Sequence, residues 1–228
     1  MYVKFSYFCF CAALALLSAA CSSFQPVQER IDIDPRATPI SAGLAEAQFD
    51  SPFGTKLVKH DLTMSYYPGE DIVCLRFRVN MMTYFQFWSS ANRAAFIEAL
   101  DKYKADYERR ELKAKAQART KRSYGTVRGY LWWETAQFFQ RNYSYPQYEL
   151  GYYFKDRNPY FAVTVREAPN EDKSSNSPNN ANLIMYFTRA QADMVVQLFS
   201  PDYLGNLRFP PAKDGAQPQI DTYNEGEF

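Results

Sequence analysis

His60 is the only imidazole in the chain, and it stands beside Asp61. Such a pair could orient a general base, but a base needs a nucleophile within hydrogen-bond reach. No G-x-S-x-G turn or catalytic-cysteine context accompanies it, so His60 and Asp61 read as a surface pair. A zinc site needs clustered His, Cys or carboxylate ligands, and Cys74 is distant from His60 in sequence. No G-x-G-x-x-G or P-loop spacing offers a nucleotide cradle. The acidic pairs Glu70-Asp71 and Glu171-Asp172 fall in turn or loop sequence, whereas paired glycosidase carboxylates need well-supported positions in a cleft. Glu134 follows Leu131-Trp132-Trp133 and is the one acid beside large aromatics; it reads as a strand-end glutamate. These residues call for no enzyme, no metal and no cofactor.

Binding chemistry is better represented. Residues 138–154, FFQRNYSYPQYELGYYF, with Trp132 and Trp133 upstream, put Tyr and Trp beside Asn, Gln and Arg. Amphipathic rings with amide and guanidinium neighbours suit a sugar, peptide or protein contact. In the plain alternative, Phe138, Tyr148, Tyr152 and Phe154 are core, and Tyr143, Tyr145 and Tyr153 fall in a loop or on the opposite sheet face. The candidate ligand-contacting residues are Trp132, Trp133, Tyr143, Tyr145 and Tyr153. An enclosed pocket lined by Trp132, Trp133 and Tyr153 would favour a small-molecule or glycan site. A filled core with flat surface would favour a protein contact.

The bulk numbers narrow the partners. Aromatic residues make up 17% of the 228 residues, with 18 Tyr and 18 Phe; most of them suit core and pleated sheet, and part of the Tyr excess suits a contact face. Net charge is +1, which disfavours nucleic acid, whose binding rests on a basic surface.

The N-terminus reads as an address. Met1–Ser6 carries one cation, Lys4, and Tyr7–Leu17 is almost wholly apolar, followed by Ser18, Ala19, Ala20 and Cys21. That order of charged, apolar and small residues is a secretory signal, and the apolar run is too short to span a bilayer. Leu17-Ser18-Ala19-Ala20-Cys21 resembles the lipobox of bacterial lipoproteins, in the relaxed form similar to that of spirochaete lipoproteins. The resemblance implies cleavage before Cys21, acylation of its thiol (palmitate among the chains) and residence on a bacterial membrane, facing the periplasm or the cell exterior. Two or three acyl chains hold a protein stably where one is marginal. Removal of residues 1–20 also removes Cys9 and Cys11, so Cys74 remains as the lone thiol and no internal disulfide forms.

Behind the signal (1–20), residues 21–51 read as a flexible tether, 52–205 as a single domain and 206–228 as an extended tail rich in Pro, Gly and polar residues. Residues 169–182 read as a polar surface loop. Within the domain, DIVCLRFRVNM alternates Val73, Leu75, Phe77, Val79 and Met81 with Cys74, Arg76, Arg78 and Asn80, a period-2 strand. Tyr67-Pro68-Gly69-Glu70 predicts a type II turn before it, with residues 56–67 as the partner strand. Residues 89–122 predict a helix capped by Ser89 or Ser90, with Phe96, Leu100, Tyr103 and Tyr107 on one face. Its cationic end, Lys113, Lys115, Arg119, Lys121 and Arg122, suits the helix C-terminus or an arm touching anionic lipid or a partner.

A β-meander follows. Pairing Phe154 with Phe161, Tyr152 with Val163 and Leu150 with Val165 about the Asp156-Arg157-Asn158-Pro159 turn puts Glu149 opposite Arg166, a favourable charge pair. Residues 182–187 predict a strand and 188–201 a helix opened by the Thr188–Gln191 capping box. The expected fold is α+β: an antiparallel meander with two helices packed on the sheet. The likeness of 88–100 to 187–199 is compatible with a duplicated strands-then-helix unit and equally with convergence of two capped amphipathic helices. In topology such a unit resembles the Whirly and PUR-type folds, but their nucleic-acid function needs a basic face inside a cell and does not carry over to this neutral, exported chain.

The expectation is thus a non-enzymatic, membrane-anchored lipoprotein that binds a partner, foremost an envelope protein, or scaffolds in the cell envelope. The alternative is a lipid-anchored module that grips a glycan or small apolar molecule with its Tyr/Trp surface.

Overall fold

The structure is a computed structural model, and it describes residues 37–51, 56–114, 123–135 and 138–208. The signal, the lipobox and Cys21, the cations Lys115–Arg122 and the tail from residue 209 lie outside the described residues.

Ten antiparallel strands form one sheet in the order β5-β8-β9-β10-β1-β2-β3-β4-β6-β7, curled into a half-barrel. They are β1 (Ile40–Asp50), β2 (Leu57–Tyr67), β3 (Ile72–Val79), β4 (Met82–Trp88), β5 (Ser123–Arg128), β6 (Tyr130–Thr135), β7 (Phe138–Ser144), β8 (Gln147–Lys155), β9 (Asn158–Val165) and β10 (Leu183–Phe187). Helix α1 (Ser90–Glu108) follows β4; α2 (Arg189–Phe199) and the short α3 (Pro201–Gly205) follow β10. The class is broadly α+β, with more sheet than the sequence suggested.

Strands β5 and β6 are one chain path bent at Gly129, and β7 and β8 one path bent at Tyr145-Pro146. A single register runs through both halves, with Arg128 opposite Gln147 and Leu131 opposite Ser144. The tip of this long hairpin pairs with β4 through β6, and its base pairs with β9 through β8, so the hairpin joins the two flanks of the sheet. Four strand paths followed by a helix therefore occur twice: β1 to β4 then α1, and the bent hairpin, β9 and β10 then α2. The last strand of each set pairs with the first path of the other, β4 with β6 and β10 with β1.

The inner face and the helices share one core. Phe96 of α1 lies 5.2 Å from Phe161, 5.4 Å from Phe199 and 5.7 Å from Trp88. Burying a ring of this size stabilises the fold by roughly 1.5–3 kcal/mol. Leu100 and Tyr103 continue the same helix face, and the Tyr103 hydroxyl donates to the Pro159 carbonyl at 3.0 Å. Ser89 caps α1 and the reciprocal Thr188–Gln191 box caps α2.

Several expectations change. Residues 40–50, assigned to the tether, are β1; Ala42, Ala45, Ala47 and Phe49 are buried, but small side chains and a bulge at Ser41–Gly43 hide their alternation. The turn at 68–71 is not type II, because Gly69 is not left-handed; the left-handed residue is Asp71, at φ 51°. The buried Arg93 holds it, donating to the Asp71 carbonyl and carboxylate, both at 2.6 Å. Helix α1 stops at Glu108, with Arg110 left-handed (φ 58°), so Lys113 follows the helix rather than ending it. The β8–β9 register is two residues from the expected one: Tyr152 faces Phe161 and Tyr148 faces Val165. The turn is only Asp156-Arg157, both left-handed (φ 47° and 69°), a tight pair that matches strand twist. A shift of two keeps every side chain on its face. Arg166 therefore still reaches Glu149, diagonally, with Nε 3.0 Å from Oε2.

The polar loop 166–182 is tied down rather than loose. Asn180 Oδ1 accepts from the Ala168 N–H and the Ser144 hydroxyl. Asn170 Oδ1 accepts from the Tyr143 N–H, and the Tyr143 carbonyl accepts from the Glu171 N–H. The loop so covers the outer edge of β7, which an exposed ladder would leave open to foreign strands.

Candidate functional site

Successive residues of a strand point to opposite faces, and β3, β4 and β6 put large apolar side chains on both faces, with Gln86 of β4 and Asn142 and Ser144 of β7 as buried polar exceptions on the inner side. The inner face takes Val73, Leu75, Phe77, Tyr84, Trp88, Leu131 and Trp133. The outer face takes Ile72, Cys74, Phe85, Phe87, Tyr130, Trp132, Tyr143 and Tyr145.

Those outer residues form rows across the strands. Arg76, Phe85, Trp132 and Tyr143 are directly opposite one another in succession on β3, β4, β6 and β7. In the next row Cys74 faces Phe87 and Phe87 faces Tyr130. Tyr145 closes that row, stacked on Tyr130 with centroids 4.9 Å apart. Trp132 meets Phe87 edge-on at 4.9 Å and Tyr130 at 5.8 Å. The result is a six-ring grid held by edge-to-face and stacked contacts, which stabilise beyond simple burial.

Arginines frame it. The Arg76 guanidinium lies 5.9 Å from the Phe85 centroid, and that of Arg128 lies 5.8 Å from the Tyr145 centroid, both within cation–π range. Arg78, two residues along β3 on the same face, is exposed. Beneath the grid, burial pushes the Cys74 thiol well above the ordinary thiol range, so it stays a protonated packing group rather than a nucleophile. Burial likewise pushes the Tyr67 hydroxyl at the grid's edge up to about 12.

Of the five contact residues expected from sequence, Trp132, Tyr143 and Tyr145 come together in this grid. Trp133 does not: it is 1% exposed, in the inner core, because its neighbour Trp132 takes the outer face. Tyr153 sits apart on β8, opposite Tyr160, with its ring 6.1 Å from Tyr186. Trp132, Trp133 and Tyr153 therefore line no common pocket. Sequence reasoning missed Arg76, Phe85 and Phe87, which non-local strand pairing brings in, and Arg128 and Tyr130, whose period-two spacing from Trp132 already put them on its face.

The remaining chemical candidates disperse. His60 is opposite Ala47 with its ring edge-on to Phe49 at 5.3 Å. Asp61 is opposite Glu46 on the other face, so the two are neither a dyad nor a surface pair. Glu134 stands opposite Thr83 at the grid's corner. Glu70 and Asp71 belong to the β2–β3 turn, and Asp172 caps the Ser174 N–H within the clasped loop. Among the described residues no group of three or more His, Cys, Asp or Glu is placed to hold a metal ion, and no helix is long and apolar enough to cross a membrane.

No curated protein and no solved structure matches the chain. The model of a family described as "Uncharacterised Treponema protein" matches residues 39–206, from the start of β1 to the end of α3, and the chain belongs to that family.

Proposed function

We propose that this is a membrane-anchored extracytoplasmic lipoprotein that acts by surface contact, binding a partner or scaffolding in the cell envelope, and not by catalysis. The observation that carries the reading is the outer aromatic grid with its arginine frame. Trp, Tyr and Arg are the residues that dominate contact surfaces, and the two neighbouring tryptophans diverge to opposite faces instead of enclosing a ligand. Membership in a Treponema family fits the relaxed, spirochaete-type lipobox at Leu17–Cys21.

Two measurements test it. Metabolic labelling with palmitate should mark the wild type and fail on Cys21→Ala; label that survives the substitution refutes the anchor. A photo-crosslinking residue at Tyr143 should give a defined adduct in intact cells, while the same residue at Glu98, on the exposed side of α1, should not. Equal labelling at both positions, or none at either, refutes the contact face.

A further inference from the structure

We infer that the aromatic–arginine face seats on anionic phospholipid headgroups, so that the anchored domain lies against the membrane rather than hanging free of it. This rests on the reading of the outer grid as a contact face and names what it contacts.

Charge points to the occupant. Arg76, Arg78 and Arg128 are exposed, and among the described residues none of them is in an ion pair. Arg76 and Arg128 lie over the Phe85 and Tyr145 rings, which leaves their guanidinium donors for phosphate, the anion that Arg's planar fork matches best. The outward-facing described carboxylate on β3, β4, β6 and β7 is Glu134, and Glu70 lies near Tyr67 at the grid's edge, so the three arginines, Arg128 from β5 among them, outnumber the acids at the face. A second copy of the chain is a poor occupant, since a two-fold contact would set these arginines against their own kind.

Ring geometry points the same way. Tyr130 and Tyr145 are stacked on each other, and Trp132 stands edge-on to its neighbours. Tyr130 and Tyr145 each turn a ring face to the other, so that pair is ill suited to stack a sugar or a base. Half-buried Trp and Tyr flanked by Arg are what proteins place at the headgroup level of a bilayer.

Chain path supplies the third argument. The described chain enters the sheet at Ile40, which pairs with Tyr66, and the next residue, Tyr67, packs on the edge of the grid. Residues 22–39 span at most about 60 Å when fully extended, so an anchor at Cys21 leaves this edge within reach of the bilayer.

Trp132 is a built-in reporter, because Trp88 and Trp133 are buried in the inner core. The full chain is bound to vesicles of phosphatidylcholine, or of phosphatidylcholine and phosphatidylglycerol in equal parts, each containing acyl-brominated phosphatidylcholine. Tryptophan emission should be quenched on the anionic vesicles and far less on the neutral ones. Arg76→Gln/Arg78→Gln/Arg128→Gln should lower the ratio of docked to undocked domain about a hundredfold, taking quenching down to the neutral-vesicle level. The corresponding three lysine substitutions should keep most of it, and Trp132→Phe should abolish it. Equal quenching on both vesicles, or quenching that survives the glutamine substitutions, overturns the inference. A Tyr143 adduct in cells together with an unquenched Trp132 on anionic vesicles overturns the lipid assignment while leaving the contact face standing. Loss of both adduct and quenching overturns the two together.

Discussion

Replacing Gly129 with alanine places a methyl carbon 2.1 Å from Tyr148 Cε2 and 2.2 Å from its Cζ. The ring has nowhere to go. Tyr148 is fully buried, lies 5.2 Å from Trp88, and donates its hydroxyl to the Tyr130 carbonyl at 2.9 Å. Gly129 itself donates to the Pro146 carbonyl at 2.9 Å, so the bend between β5 and β6 is fixed from both sides. Relief must come from moving the ring, which breaks its hydrogen bond, or from opening the bend, which pulls β6 off β4. Overpacking costs about 1–3 kcal/mol and the lost hydrogen bond about 1 kcal/mol more, so Gly129→Ala should destabilise by about 3 kcal/mol. For a domain of this length that is a fall in Tm of roughly 6–12 °C, readable by circular dichroism and as a lower urea midpoint at unchanged slope. In a Tyr148→Ala background the same substitution should cost less than about 1 kcal/mol, since the clash is gone and only the coupling term disappears. Gly129→Ala with wild-type stability, or a cost that is the same in both backgrounds, would refute the claim that close approach sets this glycine.

Four further outcomes follow from the packing. Asn170→Ala should destabilise by about 1–3 kcal/mol and raise aggregation in light scattering, because it strips the Tyr143 N–H of its acceptor and uncovers the edge of β7; an unaggregated, equally stable variant would count against the clasp. Arg93→Met should cost about 1–3 kcal/mol in urea unfolding, since the buried guanidinium donates to the carbonyls of Asp71 and Trp88, while Asp71 itself stays half exposed; a cost under about 0.5 kcal/mol would reduce Arg93 to a surface ion pair. Cys74 should resist Ellman's reagent in the native protein and react fully in denaturant; fast native reaction would contradict its burial. Burial raises the Tyr84 and Tyr103 hydroxyls from 10.0 to about 12. The unfolded chain therefore releases protons that the folded one keeps, and stability is whole below about pH 10 and falls as pH rises toward 12; a urea midpoint flat across that window would refute it.

How much of this was legible in the sequence depends on which interactions set each feature. The strand at 72–79 was readable because one side of it ends in exposed Arg76 and Arg78, so its alternation survives. The segment at 82–88 gave no such contrast: Tyr84 and Trp88 face in, Phe85 and Phe87 face out, and both sides are apolar. β1 was hidden by small residues and by a bulge that breaks the period of two. Hydrophobic pattern fixed the faces of the β8–β9 hairpin but left the register open by two residues, because Asp156 and Arg157 take the left-handed turn without the glycine or asparagine that normally announces it.

The grid shows where a simple rule reaches and where it stops. Trp132, Tyr143 and Tyr145 were recoverable because β6 and β7 are neighbours along the chain as well as in the sheet. Arg76, Phe85 and Phe87 join them only through β4 pairing with β6 across α1, a contact that no local pattern encodes. Trp133, however, could have been set aside at once: two adjacent residues of one strand cannot share a face, so a site containing Trp132 excludes its neighbour. Applied to His60 and Asp61, the same parity dissolves that pair before any distance is measured. A face is therefore the unit in which a β-protein's chemistry has to be sought. Here the outer face of β3, β4, β6 and β7 gathers rings and guanidinium groups, while His60 and Asp61 lie on β2 and Glu70, Asp71 and Asp172 in turns and loops.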